Sequence, residues 1–402
     1  MVTLADIQAA LTRIRDSIVL TPCGASQDFS VATGNTIYLK LENHQATGAF
    51  KERGALNKIL SLTAEERNRG LIAASAGNHA QAVAYHSGRM GLRSEIWMPL
   101  TTPLVKVSST RNYGAEVVLH GNNYDEAYHG ALARSHEAGL TFIHPFDDPA
   151  VIAGQGTLGL EILQQVPLAD AIIVPIGGGG LISGIACAVK KTSPHTRVIG
   201  VQTARLPSMR VAVAENAPVV LPAATTIADG IAVRCAGERT LPMVRKYVDD
   251  IVTVEEEEIA NAILLLLERE KTLAEGAGAA ALAAVLNRKV NLSGKRIVVL
   301  VSGGNIDVTL LSRIIERGLV KDGRLVRMRV HLPDRPGALH HLTGVLTEHR
   351  ANIVQTRYDR AYHGVNLGET AIELTLETRG PAHVDELISA LGAAGYTYER
   401  VL

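Results

Sequence analysis

Residues 171–190 read AIIVPIGGGGLISGIACAVK. A continuous apolar run, Ala171–Pro175, is followed by Gly177-Gly178-Gly179-Gly180 and then by an apolar stretch from Leu181 to Lys190. A short apolar run bounded by glycine suits a strand buried on both faces, and the longer stretch suits a helix. Four glycines let the backbone wrap an anion closely, with successive amides converging on it. A phosphate held there also meets the positive end of the following helix. The pattern lacks the Gly-Lys-Ser/Thr ending of a P-loop and the dinucleotide spacing with its downstream acid. A mere flexible turn is the alternative.

Working outward, β-rich runs alternate with helical patterns from about Thr36 to Ile315. Strands are expected at Thr36–Leu41, Gly70–Ser75, Ser94–Met98, Glu116–Leu119, Ala171–Pro175, Arg197–Gln202 and Arg296–Ser302. Helices are expected at Gly54–Ser61, His79–Gly88 and Pro103–Tyr113, and an amphipathic helix within Met1–Ile18. The alternation implies an α/β fold with open, mostly parallel sheets, whose ligands bind beyond the carboxyl ends of the strands.

Four more segments carry candidate chemistry. Thr47-Gly48-Ala49-Phe50-Lys51-Glu52-Arg53-Gly54-Ala55 sets a lysine and an aromatic between glycines, just before a helix. A lysine is by default a surface charge; desolvated, it becomes a nucleophile toward an aldehyde. Ser75-Ala76-Gly77-Asn78-His79-Ala80 lies where a strand ends and a helix begins. Its amides suit a carboxylate, although Ser and Asn there also serve as plain helix caps. Val301-Ser302-Gly303-Gly304-Asn305 follows the strongest strand, and Glu275 stands alone among small apolar residues, where burial needs a partner. Taken singly, these two read as a tight turn and a solvated acid.

The chain has 402 residues, enough for two or three domains, and 40 basic residues balance 40 acidic ones. That balance gives no reason to expect a nucleic acid or membrane partner. Charges interrupt the first residues, so no signal peptide is read there, and no run of about 20 apolar residues could span a bilayer. Cys23, Cys187 and Cys235 form no metal-ligand spacing. A reduced, cytoplasmic protein without a metal site is expected.

Together the five segments resemble the fold-type II (tryptophan synthase β-like) pyridoxal-phosphate enzymes, specifically the threonine and serine dehydratases and the related serine racemases. The resemblance runs from about Thr3 to Leu319 with all five segments in order. It implies that pyridoxal 5'-phosphate is carried on Lys51 as a Schiff base, with Phe50 against the ring and Asn78 on the ring hydroxyl. It places Gly177, Gly178, Gly179, Gly180 and Leu181 on the phosphate, and Ser302 on the pyridine nitrogen. Ser75, Ala76, Gly77, Asn78 and His79 become the substrate-carboxylate loop, and Glu275 lies near the substrate. Lys51, Ser75 and Glu275 carry the catalysis on this reading. A monovalent cation near the phosphate loop is compatible with it, with no ligands assigned.

Within the family, the racemases have a serine where this chain has Ala76, and a glutamate at a divalent-metal site where it has Gln202; Leu206 to Ser208 supply no acid. Both departures favour deamination: L-threonine to 2-oxobutanoate and ammonia, with L-serine second. Another β-hydroxy amino acid, a racemase-type reaction, and a non-catalytic amino-acid sensor stay open.

Residues 318–325, with a Lys321-Asp322-Gly323 turn signal, are expected as a linker. They would separate a catalytic domain (1–317, with a small subdomain roughly 51–148) from residues 326–402. There Val326–Leu332, Ala338–His349, Asn352–Asp359, Thr370–Thr378, Ala382–Ala394 and Tyr396–Val401 read as a βαββαβ ferredoxin-like unit. Asp334-Arg335-Pro336-Gly337-Ala338-Leu339 resembles the ligand loop of the ACT domains. The resemblance implies an amino-acid effector at Asp334, Pro336, Gly337, Ala338 and Leu339, allosteric control, and a homodimer or homotetramer. Inhibition by isoleucine or valine would indicate a role in isoleucine biosynthesis.

Overall fold

The computed structural model describes residues 1–359 and 368–401. It comprises two compact units, Met1–Ile306 and Asp307–Leu402. In the first, one sheet runs in the order Cys23–Ser26, Thr36–Leu41, Arg296–Val301, Ala171–Pro175, Arg197–Thr203, Asp250–Val254. All its pairings are parallel except at the Cys23–Ser26 edge. A second sheet, all parallel, runs Glu116–Leu119, Ser94–Met98, Leu71–Ala74, Thr141–Phe142. The expected α/β fold with two open sheets is therefore present. The antiparallel edge strand and the strand Asp250–Val254 were not read from the sequence.

Ile172, Ile173, Val174 and the run Ile297–Val301 are fully buried, as central strands of a sheet covered on both faces must be. The helix Gly276–Leu286, sequence GAGAAALAAVL, is buried from Gly276 through Val285. A helix apolar on every side belongs in a core. Its small side chains let the neighbouring backbone approach closely.

The helix expected from Gly54 begins at Lys51 itself and ends at Ser61. Its third residue, Arg53, is fully buried. Arg53 donates Nε to Glu42 Oε2 (2.8 Å) and Nη2 to Glu42 Oε1 (2.9 Å). It also reaches Glu161 through Nη1 (2.6 Å) and Nη2 (2.8 Å). Lys40 Nζ joins the group at 3.0 Å from Glu161 and 2.9 Å from Gln165. Burial alone would raise the Glu42 carboxyl, but Arg53 and Lys40 hold it below its ordinary value. This cluster ties the lysine-bearing helix to the sheet strand Thr36–Leu41 and to the long helix Pro149–Gln165.

In the second unit the helix Val308–Lys321 is capped by Asp307, whose carboxylate accepts from the amides of Thr309 and Leu310. Four antiparallel strands follow in the order Asn352–Asp359, Glu369–Glu377, Leu325–Pro333, Thr397–Val401, with helices Ala338–Glu348 and Pro381–Ala393. This is a ferredoxin-like sheet. Residues 318–321 of the expected linker form the last turn of an amphipathic helix, and the unit boundary falls earlier, after Ile306. Of the Lys321-Asp322-Gly323 signal, Lys321 ends the helix and Gly323, at φ 64°, turns the chain toward the strand Leu325–Pro333.

Arg53→Met leaves two buried carboxylates facing Lys40 alone. Removing one partner from a buried ionic group costs ~3–5 kcal/mol, so the thermal midpoint should fall by several degrees. An unchanged midpoint in thermal unfolding would refute the bracing role given to Arg53.

Candidate active site

Lys51 Nζ donates to the Pro145 carbonyl at 2.7 Å and lies 5.3 Å from the Phe50 ring centroid. Burial draws its pKa from 10.5 down to about 8, against the opposing attraction of Glu275. A lysine so placed surrenders its proton near neutral pH and becomes a usable nucleophile or base.

The loop after Arg296–Val301 lies alongside the start of this helix. Phe50 N donates to Ser302 O at 3.0 Å, Gly304 N to Gly48 O at 2.9 Å, and Ala49 pairs with Gly303. Ser302 is buried, and its hydroxyl has no partner among the described residues. Glu275, the N-cap residue of the all-small helix, donates its amide to Gly303 O at 3.1 Å. Its carboxylate Oε1 accepts from Asn78 Nδ2 at 2.6 Å. Asn78 Oδ1 in turn accepts from Asn305 Nδ2 at 2.7 Å, and Asn305 also donates to the Thr47 carbonyl at 2.7 Å. Burial pushes the Glu275 carboxyl up to about 8, as does the charge of Asp229. Asn78, Lys106 and Lys51 pull the other way. Lys106 and Asp229 themselves pair at 2.8 Å.

Ser75 closes a small turn, its Oγ accepting from Gly77 N at 3.1 Å while the O–H stays available. The helix Asn78–Arg89 then begins, and the first amides of a helix have no acceptor within it. His79 departs from the expectation of a substrate-facing side chain. Its ring is buried, Nε2 is engaged by the Ile143 carbonyl at 2.8 Å, and burial together with the charge of Lys51 lowers its pKa to about 3. The Ser75 hydroxyl and the backbone amides are what this loop offers a ligand.

Gly177–Gly180 lead into the helix Gly180–Thr192 as expected, and Gly178 to Leu181 are buried. The Gly178 carbonyl is held by Thr240 Oγ1 (2.6 Å) and Gly237 N (3.2 Å), so across the planar trans peptide the Gly179 amide points the opposite way. Gly179 adopts φ 97°, a left-handed conformation that a side chain disfavours. A Cβ on Gly178 would fall 2.3 Å from the Phe146 ring. The amides of Gly177 to Leu181 find no acceptor among the described residues. An anion-binding nest at a helix N-terminus, a lysine of lowered pKa and the unengaged hydroxyl of Ser302 fit a phosphorylated aldehyde such as pyridoxal phosphate.

The five segments named from the sequence are thus linked through contacts with one another or through Pro145 and Phe146. Sequence reasoning missed those two residues, together with Asp147, Arg53 and a role for Asn305. His144-Pro145-Phe146-Asp147-Asp148-Pro149, a Pro- and Asp-punctuated turn before a helix, was the available signal. Gln202 is buried, its Oε1 accepting from Arg210 N at 2.9 Å and its Nε2 donating to Ile176 O at 3.4 Å. No cluster of three His, Cys, Asp or Glu suited to a metal occurs among the described residues. No described helix is long and apolar enough to cross a membrane.

In the C-terminal unit, Asp334 to Gly337 are exposed in the connection from Leu325–Pro333 to Ala338–Glu348. Gly337 takes φ 88° there, and Leu339 is 44% exposed.

The model of the pyridoxal-phosphate dependent enzymes matches residues 14–303. An L-threonine ammonia-lyase of Thermotoga maritima is 49% identical over 396 residues, 98% of each chain. Among solved structures, the processed form of threonine deaminase isoform 2 from Solanum lycopersicum matches with a TM-score of 0.75 and 38% identity. The match covers 78% of this chain and 86% of that one. Maize serine racemase also matches with a TM-score of 0.75, at 34% identity over 80% of this chain and 98% of its own. The fold thus accommodates both deamination and racemisation, and the chain belongs to the family of pyridoxal-phosphate dependent enzymes.

Proposed function

We infer that the chain is a threonine ammonia-lyase: it converts L-threonine to 2-oxobutanoate and ammonia with pyridoxal phosphate, and L-serine to pyruvate as a second substrate. The observation that carries this reading is a desolvated Lys51 amine held by the Pro145 carbonyl, within the field of a buried Glu275 that is bonded to Asn78 of the substrate loop. It occurs in a chain about half identical, end to end, to an L-threonine ammonia-lyase.

Lys51 Nζ would hold the cofactor, with Phe50 beside it, Ser302 facing the ring nitrogen, and the amides of Gly177–Leu181 on the phosphate. When bound, the cofactor supplies an electron sink for charge developing at the substrate α-carbon. Ser75, Ala76 and Gly77, with the helix start at Asn78 and His79, would orient the substrate carboxylate through amides and the Ser75 hydroxyl. Once free, the Lys51 amine is poised to take the α-proton, because its proton affinity has been brought near neutral. Ala76 offers no second base on the other face, which directs the reaction toward loss of the β-hydroxyl rather than inversion. The enamine released after dehydration takes up water and loses ammonia. Asn78 links the substrate loop to Glu275, so the charge state of that acid is felt at the site.

For the C-terminal unit we propose an ACT domain that binds an amino acid at Asp334, Pro336, Gly337, Ala338 and Leu339. An effector there alters catalysis only by binding two states unequally. We further propose a cytoplasmic homodimer or homotetramer.

The deciding measurement is 2-oxo acid formation from L-threonine and L-serine, repeated with isoleucine and valine. Rapid 2-oxobutanoate release supports the activity, and its absence with both substrates refutes it. Lys51→Ala should lose the visible absorbance of bound cofactor and at least ~10³-fold in turnover. If an effector acts through the tail, Gly337→Val, strained at its positive φ, should remove the response and leave basal turnover intact.

The Glu275 carboxyl titrates near 8 in the folded protein, against 4.5 ordinarily. Its folded pKa is raised, so its contribution to stability is complete below the unfolded value and is lost as pH climbs from 4.5 toward 8. Glu275→Gln carries no such penalty. In the holoenzyme its thermal midpoint relative to the parent should rise by a few degrees between pH ~5 and pH ~9. A difference independent of pH would contradict the raised pKa.

A further inference from the structure

The turn His144-Pro145-Phe146-Asp147-Asp148 makes three consecutive contacts with different parts of the site. The Pro145 carbonyl accepts from Lys51 Nζ at 2.7 Å. The Phe146 ring and backbone fill the space beside Gly178 and Gly180, where added Cβ atoms would fall 2.3 and 2.6 Å from Phe146 atoms. Asp147 reaches across to the helix Thr240–Tyr247, its Oδ1 accepting from the amides of Arg239 (3.0 Å) and Thr240 (3.2 Å).

That helix begins after Arg239, whose side chain provides no cap. Asp147 supplies the missing cap from more than ninety positions upstream in the chain. A carboxylate at a helix N-terminus satisfies open amides and meets the positive end of the dipole. The residues it pins are those that hold the glycine loop: Thr240 Oγ1 donates to the Gly178 carbonyl at 2.6 Å and to Gly237 O at 3.2 Å, and Gly237 N donates to the same Gly178 carbonyl at 3.2 Å. A carbonyl held from outside keeps the adjoining amides turned to the inner side. The close fit is visible at Gly237, where a Cβ would fall 2.5 Å from Asp147 Oδ1.

We propose that Asp147 is a positioning residue for the cofactor phosphate, holding the glycine loop in its anion-binding shape through Thr240 and Gly237. Because the preceding peptide bonds to Lys51, the same turn sets the distance between the two ends of the cofactor. The inference rests on the reading of Gly177–Leu181 as the phosphate site.

The test compares binding of pyridoxal phosphate and of pyridoxal, which lacks the phosphate, to the full chain and to Asp147→Ala and Asp147→Asn, by visible absorbance. The ³¹P resonance of the bound cofactor is recorded alongside. Asp147→Ala should weaken pyridoxal phosphate binding by about tenfold or more, leave pyridoxal binding within about threefold, and shift the ³¹P resonance. Asp147→Asn, which keeps an acceptor oxygen for the two amides, should recover most of the affinity. Equal losses for both ligands, or an unmoved ³¹P resonance, would overturn the proposal by showing that Asp147 only supports the fold. If the parent chain itself binds pyridoxal as tightly as pyridoxal phosphate, the phosphate-site reading fails instead, and the proposal with it.

Discussion

Everything at the site is referenced to one buried ion cluster. Arg53 stands two residues after Lys51, so whatever fixes its guanidinium fixes the first turn of the helix that presents the reactive amine. A solitary buried guanidinium would be prohibitively costly. Here two carboxylates and two cations, Glu42, Glu161, Arg53 and Lys40, sum to zero charge, and the Thr21 carbonyl, Thr157 and Gln165 take remaining hydrogen bonds. Arginine suits the position because its planar fork bonds Glu42 through two nitrogens at once while also reaching Glu161; a lysine could not reproduce that geometry. Such a cluster costs desolvation and adds little to stability when compared with apolar packing. What it supplies is a single permitted orientation.

Against that fixed point, reactivity is set by how little polarity surrounds the amine. The core near Lys51 is built from alanine, glycine and aliphatic residues, with the all-small helix Gly276–Leu286 packed beneath Gly303. Desolvation costs the lysine much of its preference for charge. Glu275 sits in the same surroundings and is pushed in the opposite sense, so acid and amine approach one pH from two sides. The parallel sheets make this arrangement possible: Ser75, Gly177 and Ser302 all follow the carboxyl ends of strands, Leu71–Ala74, Ala171–Pro175 and Arg296–Val301.

That last regularity is why much of the site could be read in advance. Strand, small residues and helix in that order carry a local signal, and the apolar runs of Ala171–Pro175 and Arg296–Val301 stand out because central parallel strands are buried on both sides. The βαββαβ order of the tail was legible for a similar reason, from alternation in Leu325–Pro333 and Glu369–Glu377. What escaped has no local periodicity. The edge Cys23–Ser26 is a strand only because Thr36–Leu41 lies beside it, and a charged Arg53 gives no sign of being buried until its partners, distant in sequence, are known. His79 looked like a ligand group by its neighbours Asn78 and Gly77, but one turn of helix points its ring inward. The last turn of the Val308–Lys321 helix reads as a linker in the sequence because the Lys321-Asp322-Gly323 turn signal closes it.

The polarity of the half-buried amide chain follows from its fixed end. Thr47 offers a backbone carbonyl, which can only accept, so the side of Asn305 facing it must be its NH₂ group. The same nitrogen reaches Asn78, which must therefore turn its oxygen toward Asn305 and its nitrogen toward Glu275. Glu275 Oε1 is left as an acceptor. When the acid is protonated, its hydrogen must therefore reside on Oε2, the oxygen not engaged by Asn78. Two asparagines thus convert a main-chain carbonyl into a directional constraint on a carboxyl group, which neither a charge nor a hydroxyl free to rotate could impose. The motif at the end of the Arg296–Val301 strand consequently has two functions. Ser302 presents an unengaged hydroxyl, while Asn305, three residues on, determines which oxygen of a distant acid can carry a proton.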